Sequence, residues 1–345
     1  MLFHIIYTPH STQYLIHFIP SLLKYTTYNF CLVSNGCLPK ERAILKKLSE
    51  TNERLNYYCF PTNQMQIHGK VVTHLQAKCL EEYFCFMDSD IFSTAIFPDL
   101  KQTMEKENLT GLFTGMPLWV KESEYTFKPS FKGMLGTFNK MEDSTCIGST
   151  YFAIYKNENL NQIIQHYGVS FDECLRFSLP IDIQQELQKL GYSQNSFDTG
   201  KVINLLLNKH SFNLKNIEIP ELCHIGGTSY ETTNQNQRRT SKKQQLKKWL
   251  LKGLFKRVLL RYLEGRKERT LKARYTDTSL EEYQINYNQR GLHRGYTRQH
   301  FLKLFLALKD NQPLPSAPSF KDIEITRKVA QAHKSYIHNF KNYYN

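Results

Sequence analysis

Along the first 92 residues the apolar positions change period again and again. Short apolar runs, LFHIIYT (2–8), FCLVSNG (30–36), LNYYCF (55–60) and YFCFM (83–87), alternate with stretches in which apolar residues recur every three to four positions. The short runs are rich in aromatic and β-branched residues and predict strands. The intervening stretches, Gln13 to Tyr25, Pro39 to about Leu48 and Met65 to Leu80, predict helices. Strand–helix alternation with short connectors predicts an α/β fold: a mostly parallel, doubly wound central sheet flanked by helices. Ligands of such sheets bind in the crevice at the strand carboxyl ends, so functional loops are expected after Thr8, Ser34, Phe60 and Met87.

From Thr110 to Ser149 the text is Gly-rich and irregular, and then STYFAIY (149–155) predicts a further strand. Loops of this length in a compact domain are usually functional. Asp182 precedes IQQELQKLGY and Asp198 precedes TGKVINLLLNKH, each where a helix N-cap is favoured. The α/β portion closes near CHIGGTS (223–229), followed by a polar linker. The boundary falls near 236: residues 1–235 form the α/β domain and residues 236–345 a basic, mainly helical C-terminal region. No internal repeat is present.

Charge changes the picture in one place only. The net charge is +14, and the segment from Arg238 to Arg274 holds 15 Lys/Arg against Glu264 and Glu268. An argument about a polyanionic partner therefore belongs to that segment. No run of about eighteen apolar residues suggests a membrane span. The N-terminus, MLFHIIYTPH, lacks the pattern of a signal peptide. The 8 cysteines are scattered without a CxxC. This usage suits a reducing compartment, so the expected location is cytoplasmic, with neither a disulfide framework nor a zinc site.

The strand YFCFM runs directly into Asp88 and Asp90. In extended backbone, residues two apart point to the same side, so both carboxylates would leave a strand end together. Hard divalent cations take such oxygen ligands, Mg²⁺ or Mn²⁺ commonly with one or two carboxylates plus phosphates, and Mn²⁺ also accepts an imidazole. His224 in CHIGGTS is the imidazole candidate, with Gly226 and Gly227 allowing close backbone approach. The alternative reading of the pair is a polar turn after a buried strand.

The strand–helix alternation, the DSD at the fourth strand, GSTYFAIY at 148–155, FDTG at 197–200 and the late HIGG segment occur in an order that resembles the GT-A-fold glycosyltransferases, over roughly residues 2–230. The resemblance implies a metal-dependent transfer of a sugar from a nucleotide-diphosphate donor, a UDP-sugar by default, to a glycan or lipid-linked glycan acceptor. It makes Asp90 the direct metal ligand, Asp88 the partner of the donor ribose or of metal-bound water, and His224 the residue that completes the metal site. Thr8, Pro9 and Asn35 would line the nucleotide pocket, with His68 and Lys70 meeting the base or diphosphate.

An inverting reaction needs a carboxylate base; Asp198 is the first candidate and Asp182 the second, while a retaining reaction needs neither. Simple N-capping explains both positions equally well. Trp119, Tyr125, Phe127, Phe131 and Phe138 would stack on an acceptor sugar or pack in the core. The basic segment does not separate into apolar and cationic faces, and it suits either anionic lipid headgroups at the cytoplasmic face or a solvated appendage. No zinc-finger, RNA-recognition or helix-turn-helix signature points to nucleic acid. The rival classes are a sugar nucleotidyltransferase, which should carry a Gly-rich loop where YTPHSTQ has no glycine; an aspartyl phosphatase, which wants Thr or Val where Ile91 stands; and a non-catalytic membrane- or polyanion-binding protein.

Overall fold

The computed structural model describes residues 1–96, 98–114, 126–127, 140–141, 146, 148, 151–172, 174–189, 196–226, 296–320 and 322–344. The predicted strands form as β1 (Leu2–Tyr7), β2 (Asn29–Ser34), β3 (Leu55–Cys59) and β4 (Tyr83–Asp88). Short strands β5 (Ile91–Ser93) and β6 (Gly111–Phe113) follow, then β7 (Thr126–Phe127) and β8 (Lys140–Met141). The later strands are β9 (Phe152–Lys156), β10 (Cys174–Leu175), β11 (Ser196–Phe197), β12 (Leu214–Asn216) and β13 (Leu222–His224).

The helix expected over 13–25 is three pieces: α1 (Thr12–Leu15), a 3-10 turn (Ile16–Phe18) and α2 (Ile19–Tyr25). Pro20, with no N–H to give, falls in the first turn of α2 and accounts for the break. Next come α3 (Pro39–Ser49), α4 (His68–Ala77), α5 (Leu100–Lys106), α6 (Asn157–Tyr167), α7 (Ile181–Lys189) and α8 (Lys201–Lys209). Two further helices, α9 across 296–309 and α10 (Ile323–Tyr344), complete the described chain.

Seven strands make one sheet in the order β12-β6-β9-β4-β1-β2-β3. The pairs β3·β2, β2·β1, β1·β4 and β6·β12 are parallel, whereas β9 runs antiparallel to both neighbours, β4 and β6. This is the mostly parallel, helix-flanked sheet that the alternation and the GT-A resemblance both led one to expect. Side-chain alternation divides the strands between two cores. Phe3, Ile5, Phe30, Leu32, Cys85, Met87, Phe152 and Ile154 face one layer. Ile6, Cys31, Val33, Phe84, Phe86, Ala153 and Tyr155 face the other, under α4, α6, α7 and α8.

The first core also contains Phe301, Leu304, Phe305, Ile325, Val329, Ala332, Tyr336 and Phe340. Helices α9 and α10 thus pack as a continuation of the α/β core. Tyr336 is 1% exposed and donates its hydroxyl to the Tyr14 carbonyl at 2.6 Å, and Asn339 Nδ2 donates to the His17 carbonyl at 3.0 Å. The basic segment 238–274 lies outside the described residues. Among those described, no helix is long and apolar enough to cross a membrane.

Candidate functional site

The parallel register brings the predicted loops to one edge. Ile6 of β1 is level with Asp88 of β4, and Tyr7 with Ser34 of β2, so Thr8, Asn35 and Asp88 follow one another along the carboxyl edge. Beyond Asp88 the chain turns through Ser89 and Asp90 into β5, which pairs antiparallel with β13 so that His224 lies opposite Ile91. The Ile225 N–H donates to the Asp90 carbonyl at 3.1 Å. This ladder, between segments 130 residues apart in sequence, carries His224 to the acidic pair.

The ligand atoms of Asp88, Asp90 and His224 all lie within 4.8 Å of one another. His224 Nε2 is 3.3 Å from Asp88 Oδ2 and 3.2 Å from Asp90 Oδ1. Asp90 and His224 are buried, whereas Asp88 keeps a third of its side chain exposed toward the crevice. Burial opposes charge on the imidazole, but the carboxylates of Asp90 and Asp88 outweigh it and raise the His224 pKa to about 9. A proton on His224 therefore offsets one of two crowded negative charges, and a divalent cation would do the same work with the imidazole neutral. Two carboxylate oxygens and one imidazole nitrogen converging on one point form a donor set that fits Mn²⁺, and Mg²⁺ with fewer nitrogen contacts.

Three further residues shape the cluster. Tyr151, at the entrance to β9, stacks on the His224 ring with centroids 4.0 Å apart and planes 24° apart, and its carbonyl accepts from the Asp88 N–H at 2.8 Å. Sequence reasoning included Tyr151 in a strand and gave it no role, because nothing local reveals which ring it will cover. His68, in the first turn of α4, places Nε2 3.8 Å from Asp88 Oδ1 while its ring meets Phe86 edge-on. Lys70, two residues on, is rotated by about 200° around the helix and is exposed.

Third, Lys201 is fully buried and donates to the Gly148 carbonyl at 2.6 Å, three residues before Tyr151. Burial pulls its pKa down to about 8 against the opposing attraction of Asp198.

The remaining candidates divide. Thr8 is locked into a tight turn, its carbonyl accepting from the Ser11 hydroxyl at 2.7 Å, and Pro9 is half-buried beside it. The Asn35 amide is fully used: Nδ2 donates to the Gln66 carbonyl and Oδ1 accepts from the Gln66 N–H, both at 2.9 Å. Its side chain thus fixes the loop before α4. Gly36, at φ +67°, lets that loop pass, since a Cβ there would run into the backbone of Gln64 and Met65.

Neither Asp198 nor Asp182 belongs to the cluster, and neither is an N-cap. The N-cap of α8 is Gly200 at φ +71°, two residues after Asp198, because Asp198 spends its carboxylate on the Thr199 N–H at 2.8 Å. Asp182 is an exposed residue inside the first turn of α7, which begins at Ile181. Trp119, Tyr125, Phe131, Phe138 and Gly227 lie outside the described residues, as does the side chain of Phe127.

No family model and no curated protein matches the sequence. Among solved structures, the chain is similar to a galactosyltransferase, LgtC, in complex with donor and acceptor sugar analogues, at 12% identity and TM-score 0.37 over 63% of this chain and 73% of that one. A mannosyltransferase from Pyrobaculum calidifontis in complex with GDP-Man and Mn²⁺ matches at 10% identity and TM-score 0.32, over 56% of this chain and 54% of that one. A putative glucose-1-phosphate thymidylyltransferase from Bacillus anthracis matches at 10% identity and TM-score 0.37, over 70% and 97%. These scores do not choose between transferase classes, and the functional reading rests on the geometry of Asp88, Asp90 and His224.

Proposed function

We propose that the protein is a metal-dependent glycosyltransferase that moves a sugar from a nucleoside-diphosphate donor, a UDP-sugar in the first instance, to a hydroxyl of a glycan or lipid-linked glycan. The observation that carries this reading is the meeting of Asp88, Asp90 and His224 within 4.8 Å at the carboxyl edge of a mostly parallel sheet. Asp90 and His224 would hold Mn²⁺ or Mg²⁺, which supplies Lewis-acid stabilisation to a departing diphosphate.

The chain's own residues do the rest. Asp88, the most exposed of the three, faces the crevice where a ribose or a metal-bound water would sit. The N-terminus of α4 opens beside it at His68, and the helix dipole there favours a negatively charged group. Thr8 and Pro9 form the rim at the end of β1, and Asn35 shapes the pocket by holding the 64–66 loop. Lys70 would reach only the outer part of a donor. For an inverting reaction Asp198 is the first candidate base and Asp182 the second. The segment 238–274 would hold an anionic membrane surface close to a lipid-linked acceptor.

A sugar nucleotidyltransferase is the closest rival, and its Gly-rich phosphate loop after the first strand has no counterpart in the glycine-free turn that Ser11 closes on Thr8. Melting temperature measured with Mn²⁺ plus UDP, GDP or CMP tests the reading. A ligand at a hundred times its Kd contributes about 2.7 kcal/mol. A rise that needs both metal and one nucleotide, and that Asp90→Ala abolishes, is the expected result. No rise with any pair would overturn the reading and leave a non-catalytic binding protein as the better account.

A further inference from the structure

On the opposite side of β2 from α4, a cavity of about 450 Å³ opens between α1, α3 and the end of α9. That is within the ~300–1,000 Å³ range of small-molecule sites. Its lining is Gln13 and Ile16 from the first helical segment, Lys40, Ile44, Lys47, Leu48 and Thr51 from α3 and the residues just after it, and Lys309 from α9. The α3 contribution follows the helical repeat i, i+4, i+7, i+8, i+11, so one face of a single helix supplies most of the wall. Along that face Lys40 and Lys47 stand on one flank, two turns apart, and Ile44 and Leu48 on the other, while Lys309 joins the lining from α9.

The three lysines are exposed and the lining contains no acidic residue. Glu41, the acid nearest Lys40, is buried with its carboxylate accepting from the Leu38 N–H at 2.9 Å, so it does not face the cavity as a counter-ion. A structural role for the lysines would show as ion pairs such as Lys209 with Glu186 or Lys215 with Glu107; none of the three makes one among the described residues. Three uncompensated cations around an apolar floor select a ligand that is anionic at one end and hydrocarbon at the other. The face spans eleven residues from Lys40 to Thr51, about 16 Å of helix rise, which accommodates a stretch of extended acyl chain.

We propose that this cavity binds an anionic membrane phospholipid, its phosphate among Lys40, Lys47 and Lys309 and part of one acyl chain along Ile16, Ile44 and Leu48. Lys40 stands at the N-terminal end of α3, on the sheet edge that also carries the Asp88 cluster. A lipid held there orients that edge toward the bilayer. The site shares no residue with the donor crevice, so it stands or falls independently of the transferase reading.

The test places a reporter in the cavity of the full chain. Trp119 and Trp249, the 2 native tryptophans, are changed to Phe, and Ile44→Trp supplies a single fluorophore on the cavity floor; Thr51→Trp, at an exposed lining position, serves if the Ile44 variant is poorly folded. Vesicles of brominated phosphatidylglycerol are expected to quench the reporter, whereas brominated phosphatidylcholine vesicles leave it unchanged.

Lys40→Glu/Lys47→Glu/Lys309→Glu should weaken the quenching by at least about a hundredfold in lipid concentration, at roughly a factor of five per lysine near an anionic surface. Reversing Lys46, Lys106 and Lys334 instead gives the same net charge and should change it by less than about fivefold. Co-sedimentation with phosphatidylglycerol vesicles without quenching would overturn the proposal, as would equal loss in both charge-reversed proteins. Quenching abolished by millimolar inorganic phosphate would make the lysines a soluble-anion site and overturn the lipid assignment.

Discussion

His17 gives a quantitative prediction about how the C-terminal helix is held. Its ring is completely buried between the 3-10 turn and the last two helices, with ring centroids 4.9 Å from Phe340, 5.2 Å from Tyr336 and 6.4 Å from Phe305. Burial pushes its pKa down to about 4, against a smaller opposing effect of a backbone hydrogen bond at Gln13. In the unfolded chain the imidazole titrates near 6.5. The unfolded state therefore binds the extra proton between these two values, and stability falls as pH falls through the window. Above about pH 7.5 His17 contributes almost no pH dependence; by pH 5 it has cost about 2 kcal/mol and by pH 4 about 3 kcal/mol.

Other groups titrate over the same range, His300 among them, pushed down to about 4 by burial and by His333 and Lys303. The comparison is therefore with His17→Leu, in which only the His17 contribution is missing. Urea unfolding of both proteins at pH 8, 6, 5 and 4 gives two stability curves. Their separation should change by about 3 kcal/mol between pH 8 and 4, with the wild type losing more. Parallel curves, within about 1 kcal/mol across the range, would refute the claim that a neutral, desolvated His17 lies under α10.

Three further outcomes follow from packing and site geometry. Tyr336→Ala should cost about 3–5 kcal/mol in urea unfolding, and Tyr336→Phe about 1–3 kcal/mol because the Tyr14 carbonyl loses its buried donor; an alanine cost below 1 kcal/mol would mean that α10 is not part of the core. Gly36→Ala should lower stability by more than about 1 kcal/mol and weaken nucleotide-dependent stabilisation, since the 64–66 loop must move; unchanged melting and nucleotide response would contradict the close approach at Gly36. Tyr151→Leu should raise the Mn²⁺ Kd by about tenfold or more, measured by titration calorimetry, with Tyr151→Phe retaining near-normal affinity; equal loss in both would assign the effect to the hydroxyl and not to the ring stacked on His224.

Much of the sheet was legible in the sequence because β1, β2 and β4 are nearly continuous apolar runs, the pattern of a strand buried on both faces, and the edge strand β3 keeps the aromatic-rich composition of a strand. Asp88 and Asp90 were legible for a related reason: charged residues directly after such a run must lie at its end, in the crevice. The short strands β5, β6 and β12 gave no signal of their own, since two or three residues carry no period, and Gly111–Phe113 read as part of an irregular stretch. N-capping, the alternative to a catalytic base at Asp182 and Asp198, does not hold at either position, because sequence shows a favourable residue type near a helix start but not which backbone N–H it will meet.

The chain by itself determined the alternation of elements, the parallel four-strand half of the sheet and the acidic pair at its edge, all of which follow from local period and polarity. Only the tertiary structure decided that β5 pairs with β13 and so delivers His224 to Asp90, that Tyr151 covers the imidazole, and that α9 and α10 fold back onto the first core to trap His17 and shape the lysine-rimmed cavity. These are contacts between segments 73 to more than 300 residues apart. Their partners are chosen by complementarity of surfaces that exist only once the sheet has formed, and no local pattern records that choice.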